Sequence, residues 1–443
     1  HAVNGNPLSI LSTDMNNGWK GSVTDLGNAI EKSESAGGAI SLGVIRPGTG
    51  AVTLNATLPA NTAWRPSYPV GDPRADALFE QTCADLHTKI QASSTGDFGY
   101  NTGWFGMTLL ASPNWNDTSG AKPYRNSINK IKDRCIAHLN GRILEPVEPS
   151  APGYVSPGLE NWDIVSSCMF IGEYRSKTGD TTVDADVQRC ALLLANRIQH
   201  YAQPDDGGTM HNKLGIMGHG GVTGDYAHVW LTGINIINAH TMVAMGTLKG
   251  AGANFSAIAG SSGLTIDQKF LMNWSWLKAC TRTDNGSDDG CVGYQGVESG
   301  WDAAGRTAGT AAGYQIYLNA GGTAPTSDDL DKHARMKAYV VRHWQRQQHA
   351  HAYTAGGVAL SQCLMPFLTD RDQRHFMENS RFYFTLTRDH AGAVQYVPGR
   401  GNNGGDSSSG YLGFDNVKYY FGGLFQAMGT GNLPSFPAPS TSR

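Results

Sequence analysis

The sequence predicts a mainly α-helical protein, an (α/α)6-type toroid preceded by a small α+β segment. Three observations carry this. Beyond Pro59 the apolar residues recur with helical spacing in twelve segments, separated by glycine-rich turns. Highly charged segments alternate with apolar, small-residue-rich ones, as expected of outer and inner helices in a closed ring of hairpins. The first sixty residues instead show strand-like alternation. With 443 residues, 40% hydrophobic and 16% charged, the chain has ample material for a large core. Its 34 basic and 37 acidic residues carry no long block of one sign, which argues against a nucleic-acid partner.

In chain order, a strand-like start at residues 1–8 precedes a helix over 25–35. Two alternating stretches follow, Ile40, Leu42, Val44 and then Val52, Leu54, Ala56, Leu58, joined by a turn at 47–50. The run Val3-Asn4-Gly5-Asn6-Pro7-Leu8, with Asp25, Leu26, Ala29 and Ile30 and then Ile40, Leu42, Val44, Arg46 and Gly48, resembles the second half of a bacterial PDZ domain. The resemblance implies a peptide or protein partner docked by strand addition. The carboxylate-binding loop that such domains use would precede Val3, so the resemblance also implies a domain whose first half lies upstream of His1. The expected organisation is a partial PDZ-like domain at 1–60, the toroid at 61–433 and a flexible Pro/Ser-rich tail at 434–443.

Helices are predicted near 71–93, 103–113, 124–139, 159–176, 183–202, 225–247, 265–279, 304–318, 329–348, 351–366, 371–388 and 411–427, which makes six hairpins. Segments 124–139 and 329–348 read as outer helices, and 225–247, 304–318, 351–366 and 411–427 as inner ones. Residues 226–248 lack Asp, Glu, Lys and Arg over a length that would cross a bilayer. His228, Asn235, Asn238 and His240 interrupt that run, so the reading is a buried inner helix and no membrane span. This half resembles the six-hairpin α/α-toroid enzymes, among them many glycoside hydrolases and polysaccharide lyases. Its combination with the PDZ-like start resembles a bacterial family of extracytoplasmic proteins whose toroid has no assigned function. The resemblance implies a secreted or periplasmic protein acting on a glycan.

In that architecture the turns entering the inner helices, at 98–104, 157–163, 219–226, 293–302, 349–353 and 404–411, share one end of the toroid. They carry Glu160, Asp163, Asp225, Glu298 and Asp302. Glycoside cleavage needs two such carboxyl groups, one protonated as acid and one ionised. Asp225 and Asp302 are the first choices for that pair, Glu160 and Glu298 the alternates, and Tyr226 and His228 the orienting groups. Helix capping is the competing role for Asp225 and Asp302, each placed at a predicted helix start. Trp104, Trp162, Trp301 and Tyr294 are expected to stack on sugar faces, with core packing as the competing role. Arg306, His219 and His351 complete the substrate-binding set. Together with Tyr226 and His228 they also supply the base and the cation that a polysaccharide lyase would use on a uronate, which is the alternative reaction. A non-catalytic glycan- or peptide-binding scaffold is the third reading.

No zinc-ligand spacing, nucleophile elbow, phosphate-binding loop or dinucleotide fingerprint is present, so neither metal nor cofactor is expected. In the acidic stretch that begins at Asp284, between Cys280 and Cys291, the twelfth position counted from Asp284 is Gln295, where a calcium-binding loop requires Glu. Those two cysteines form either a disulfide across the loop or two buried thiols. The glycine- and serine-rich stretch 398–410 reads as a lid over the last inner helix.

Overall fold

The computed structural model describes residues 2–9, 21–61, 64, 68–142, 144, 160–199, 203–204, 210–211, 214–218, 234–284, 287–294, 304–347, 354–386, 388, 418–424, 427–428 and 430–437. Strands β1 (Ala2–Val3), β2 (Asn6–Pro7), β3 (Ala39–Arg46) and β4 (Gly50–Thr57) form an antiparallel sheet of order β2-β1-β3-β4. Pairing in the β3–β4 hairpin runs from Ala39↔Thr57 to Arg46↔Gly50. Its tight reversal uses Gly48 and Gly50, both at positive φ, which only glycine adopts without strain. Helix α1 (Ser22–Ser35) packs against this sheet on one side and on the last outer helix of the toroid on the other.

That second contact is electrostatic as well as steric. Glu31, buried, accepts from Arg381 Nε at 2.9 Å and from Thr385 Oγ1 at 2.8 Å. Glu34, also buried, pairs with Arg74 and accepts from Arg388 Nη2 at 3.0 Å. Beside them Gly27 lies so close to Phe382 that a β-carbon there would fall 2.7 Å from the Phe382 Cβ.

The remaining helices are α2 (Pro73–Ala92), α3 (Asn101–Leu110), α4 (Tyr124–Asn140), α5 (Glu160–Thr178), α6 (Asp184–Arg197) and α7 (Asn235–Gly250). They continue with α8 (Ile266–Ala279), α9 (Ala304–Asn319), α10 (Ser327–Arg342), α11 (Thr354–Leu364) and α12 (Asp370–Leu386), then a π-helical turn at Tyr419–Leu424. Helices α3, α5, α7, α9, α11 and the π turn each pack on the next, and the π turn packs back on α3, closing a ring. The even-numbered helices α2 to α12 lie outside it.

Sequence composition explains the two layers. Every residue of α3 is buried, as is all of α7 from Asn235 to Leu248, so these helices are covered on all sides by protein. Outer helix α10 buries only Asp329, His333, Met336, Tyr339 and Val340, a single face at helical spacing. Its start is fixed by a capping box, in which Thr326 Oγ1 accepts from the Asp329 N–H while Asp329 accepts from the Thr326 N–H. Thr265 and Gln268 cap α8 in the same way.

Small residues set the spacing of the ring. A β-carbon at Gly103 would sit 2.0 Å from the Ser166 carbonyl oxygen, and one at Gly313 2.4 Å from the Met242 backbone. Gly305 similarly meets Gly357, and Gly172 meets Thr247. The paired positions advance together along neighbouring helices, 103 with 166 and 106 with 170, then 305 with 357 and 309 with 360. The inner helices are therefore parallel, and their first turns gather at one end.

Two expectations change. The inner helix expected from 225 begins at Asn235, after the non-capping Ile234. Residues 281–292, expected as a loop, form a hairpin of β7 (Thr281–Asp284) and β8 (Ser287–Val292), and a second short hairpin joins β5 (Gln203–Pro204) to β6 (Met210–His211). Cys280 and Cys291 are both buried at the base of the β7–β8 hairpin. The stretch expected as a lid, 398–410, lies outside the described residues. No helix among the described residues is long and apolar enough to cross a membrane.

Candidate active site

The end of the ring where the inner helices begin displays the first turns of α3, α5, α7 and α9. Buried amides tie the entering loops to these turns. Asn161 Nδ2 donates to the Gly218 carbonyl at 2.8 Å, and Asn235 Nδ2 donates to the Gly293 carbonyl at 2.8 Å. Trp276 Nε1 in turn donates to Asn235 Oδ1 at 2.8 Å. Asn238 bridges the Met217 backbone in both directions, accepting its N–H at 2.8 Å and donating to its carbonyl at 3.0 Å. An amide supplies both a donor and an acceptor, which is why Asn recurs where irregular backbone meets a buried helix start.

The two carboxylates of the first α5 turn differ. Glu160 is buried and accepts from Arg197 Nη2 at 2.8 Å, with Arg142 Nη1 at 3.7 Å from its other oxygen. These contacts make it an anchor between α5 and α6 rather than a free acid. Asp163, one turn on, has no side-chain hydrogen bond or ion pair among the described residues and lies over Gly99, its Oδ1 4.0 Å from where a β-carbon there would stand. Burial pushes its carboxyl up to about 6; Arg142 opposes the shift, and Asp97 and Glu160 add to it. Sequence reasoning placed Asp163 on this rim without choosing it, because only spatial partners separate it from Glu160.

The aromatic residues form a continuous set. Trp162 meets Tyr100 edge-on with centroids 5.4 Å apart, and Tyr100 meets His240 edge-on at 5.9 Å. His240 stacks on Trp104 at 5.1 Å, and Trp104 stacks on Tyr420 at 5.4 Å. Trp104 is 0% exposed, so its expected use as an open sugar platform gives way to packing inside the ring. Trp162, 5% exposed, is likewise nearly covered.

Arg306 is also buried. Its Nε donates to the Val292 carbonyl at 2.7 Å and its guanidinium carbon lies 5.6 Å from the half-buried Tyr294 ring, so it holds the β8 end against α9 instead of standing open to substrate. Asp225, Tyr226, His228 and His219 fall in 219–233, Glu298, Trp301 and Asp302 in 295–303, and His351 in 348–353, all outside the described residues. His240, which the sequence showed only as an interruption of the charge-free run, packs its ring against Trp104 and Tyr100 inside the ring of helices. Among the described residues no group of three His, Cys, Asp or Glu side chains is arranged to hold a metal ion.

Two solved structures share this fold. One, the unsaturated glucuronyl hydrolase from Bacillus sp. GL1, described as responsible for the degradation of glycosaminoglycan, is 11% identical with a TM-score of 0.50, over 84% of this chain and 99% of that one. The other, a substituted UGL with dGlcA-Glc-Rha-Glc, is 10% identical with a TM-score of 0.50, over 83% of this chain and 100% of that one. At such identity the likeness is one of fold, an α/α toroid used by glycoside hydrolases. No curated protein sequence matches the chain. A family model does match, over residues 75–422, and by that match the chain belongs to the family described as a domain of unknown function, DUF6288.

Proposed function

We propose that the protein is a carbohydrate-active hydrolase that cleaves a glycosidic bond by acid/base chemistry at the end of the toroid where the inner helices begin. The observation that carries this reading is Asp163: a mostly buried carboxyl, free of ion pairs among the described residues, on the first turn of an inner helix. A carboxyl held at about 6 keeps its proton in mildly acidic solution and can deliver it to a leaving oxygen. Glu160, fixed by Arg197, orients the α5 turn that presents it. The second carboxylate is sought among Asp225, Asp302 and Glu298, which the sequence assigns to neighbouring rim turns.

Both solved neighbours support a glycan substrate, since one is a glucuronyl hydrolase and the other is paired with a sugar chain. The N-terminal sheet, with β4 at its edge, is read as a PDZ-like unit that docks a peptide or protein partner. A secreted or periplasmic location belongs to the same reading. The test is a panel of polysaccharides and oligosaccharides treated with the full chain, scored together for reducing ends and for the absorbance of unsaturated products. New reducing ends without new unsaturation support the hydrolase; new unsaturation identifies a lyase instead.

A further inference from the structure

Strand β4 closes one side of the N-terminal sheet, paired with β3 and, among the described residues, with no strand on its other side. The hydrogen-bond phase of the hairpin fixes what that open edge presents. Leu58 N–H donates to the Gly38 carbonyl at 2.7 Å, one step beyond the Ala39↔Thr57 pair. Bonded and non-bonded pairs alternate in an antiparallel ladder, so Val52, Leu54 and Ala56 turn their backbone groups to β3, while Ala51, Thr53, Asn55 and Thr57 turn theirs outward. The far side of β3 has the matching phase, because Asn4 N–H donates to the Ser41 carbonyl at 2.9 Å.

Side chains alternate in the same step. Val52, Leu54 and Ala56 share a face with Val44, Leu42 and Ile40, their partners on β3. Helix α1 packs on β1 and β3, and cover thins toward the edge: Ile40 is buried, Val52 half-buried and Leu54 40% exposed. Strand β4 also carries no charge and no proline, the usual guards of a free edge.

Such an edge takes an extended strand that is apolar on one face and polar on the other, and β4 is itself such a strand. A two-fold axis at Leu54 sets Thr53 against the partner's Asn55 and Ala51 against the partner's Thr57, so every outward N–H faces an outward carbonyl. Leu54 then meets the partner's Leu54 in a non-bonded pair, where side chains approach most closely, and Val52 meets the partner's Ala56. An axis at any other position leaves part of the strand unpaired. We infer that the protein associates with a second copy of itself by pairing β4 edge to edge, which joins the two four-stranded sheets into one. This names the partner of the docking unit read above and rests on that reading, not on glycan cleavage.

The test is sedimentation of the full chain over about a hundredfold range of concentration. Thr53→Pro removes an outward N–H without touching the β3 ladder, and Leu54→Lys sets two like charges at the axis. The expected result is a concentration-dependent mass approaching two chains, with association weakened about tenfold or more in each variant. Leu54→Lys decides if Thr53→Pro does not fold. Added cysteines check the register, since the seven native thiols are buried. With diamide as oxidant, Leu54→Cys links to itself, its β-carbons about 4.5 Å apart across the axis, whereas Val52→Cys and Ala56→Cys link to each other and neither to itself. One-chain mass at every concentration, a dimer indifferent to both variants, or cross-links in another register would overturn the pairing. So would Thr53 and Asn55 amides that resist hydrogen exchange in the monomer, because another strand then holds the edge. A monomer that binds a synthetic peptide of residues 50–57 through β4 keeps the docking reading and overturns the second copy, and a monomer indifferent to that peptide removes both.

Discussion

Glu160 and Asp163 stand on the same first turn of α5, yet only Glu160 is paired, with Arg197 Nη2 at 2.8 Å. A buried arginine 37 residues along the chain thus fixes one carboxylate as structure and leaves the other without an ion pair among the described residues. The division of labour yields a signature that separates catalytic from packing roles.

Asp163→Asn should lose activity about 10²-fold or more, the usual contribution of a positioned proton donor. It should also be more stable than the parent at neutral pH. Burial raises the folded-state value of Asp163 from the ordinary 3.8 to about 6, so its contribution to stability is full below about 3.8 and is lost as pH rises through about 6. Above that pH the parent carries a cost of up to about 3 kcal/mol, which the amide removes. Urea denaturation at pH 4 and pH 7.5 reads the difference, with a gain expected only at the higher pH.

Glu173 provides the matching control. It is fully buried in α5, accepts from the Ser435 N–H at 2.9 Å, and is pushed up to about 7 by burial. The sign is the same: stability is full below the ordinary 4.5 and lost as pH rises through 7. Glu173→Gln keeps an oxygen for Ser435, so it should stabilise at pH 8, be neutral at pH 4, and leave glycan cleavage unchanged.

Docking of the N-terminal unit rests on Glu31 and Glu34. Glu34→Gln leaves the buried Arg74 and its neighbour Arg388 without their counter-charge, and such a loss costs about 3–5 kcal/mol. The expected phenotype is release of the segment before Pro73 by limited proteolysis under conditions where the parent resists cleavage.

Ring closure depends on glycine at close approaches. Gly313→Ala would place a methyl 2.4 Å from the Met242 backbone, where neither helix has a flexible side chain to yield. Overpacking of this kind costs about 1–3 kcal/mol or more, measured as a lowered melting temperature. Gly179→Ala is the comparison: a β-carbon there meets nothing within 4 Å, and any loss comes from its φ of 69° alone.

Much of this fold was legible because its signals are local. The Thr265 and Thr326 caps, the one-sided burial of α10 and the glycine- and alanine-rich α9 each mark an element by its own residues. The start of α7 was misplaced because a run without charges preceded by Ile234 offers no cap to read. Hairpin β7–β8 was missed because Ser287–Val292 has little strand propensity. Its place is fixed from outside, where Gly290 fits against the Arg335 backbone. At the site, the carboxylate and aromatic residue types were visible, but their roles were not. Arg197 on Glu160 and His240 on Trp104 are long-range contacts, and those contacts decide which groups are free.

The most direct test of the central claim is the rate of reducing-end release near pH 5.5 by the parent and by Asp163→Asn, on whichever glycan of the panel is cleaved fastest. Cleavage by the parent is expected, with a loss of about 10²-fold or more in an Asp163→Asn variant that retains its helical circular dichroism. Cleavage at the parental rate by Asp163→Asn would contradict it.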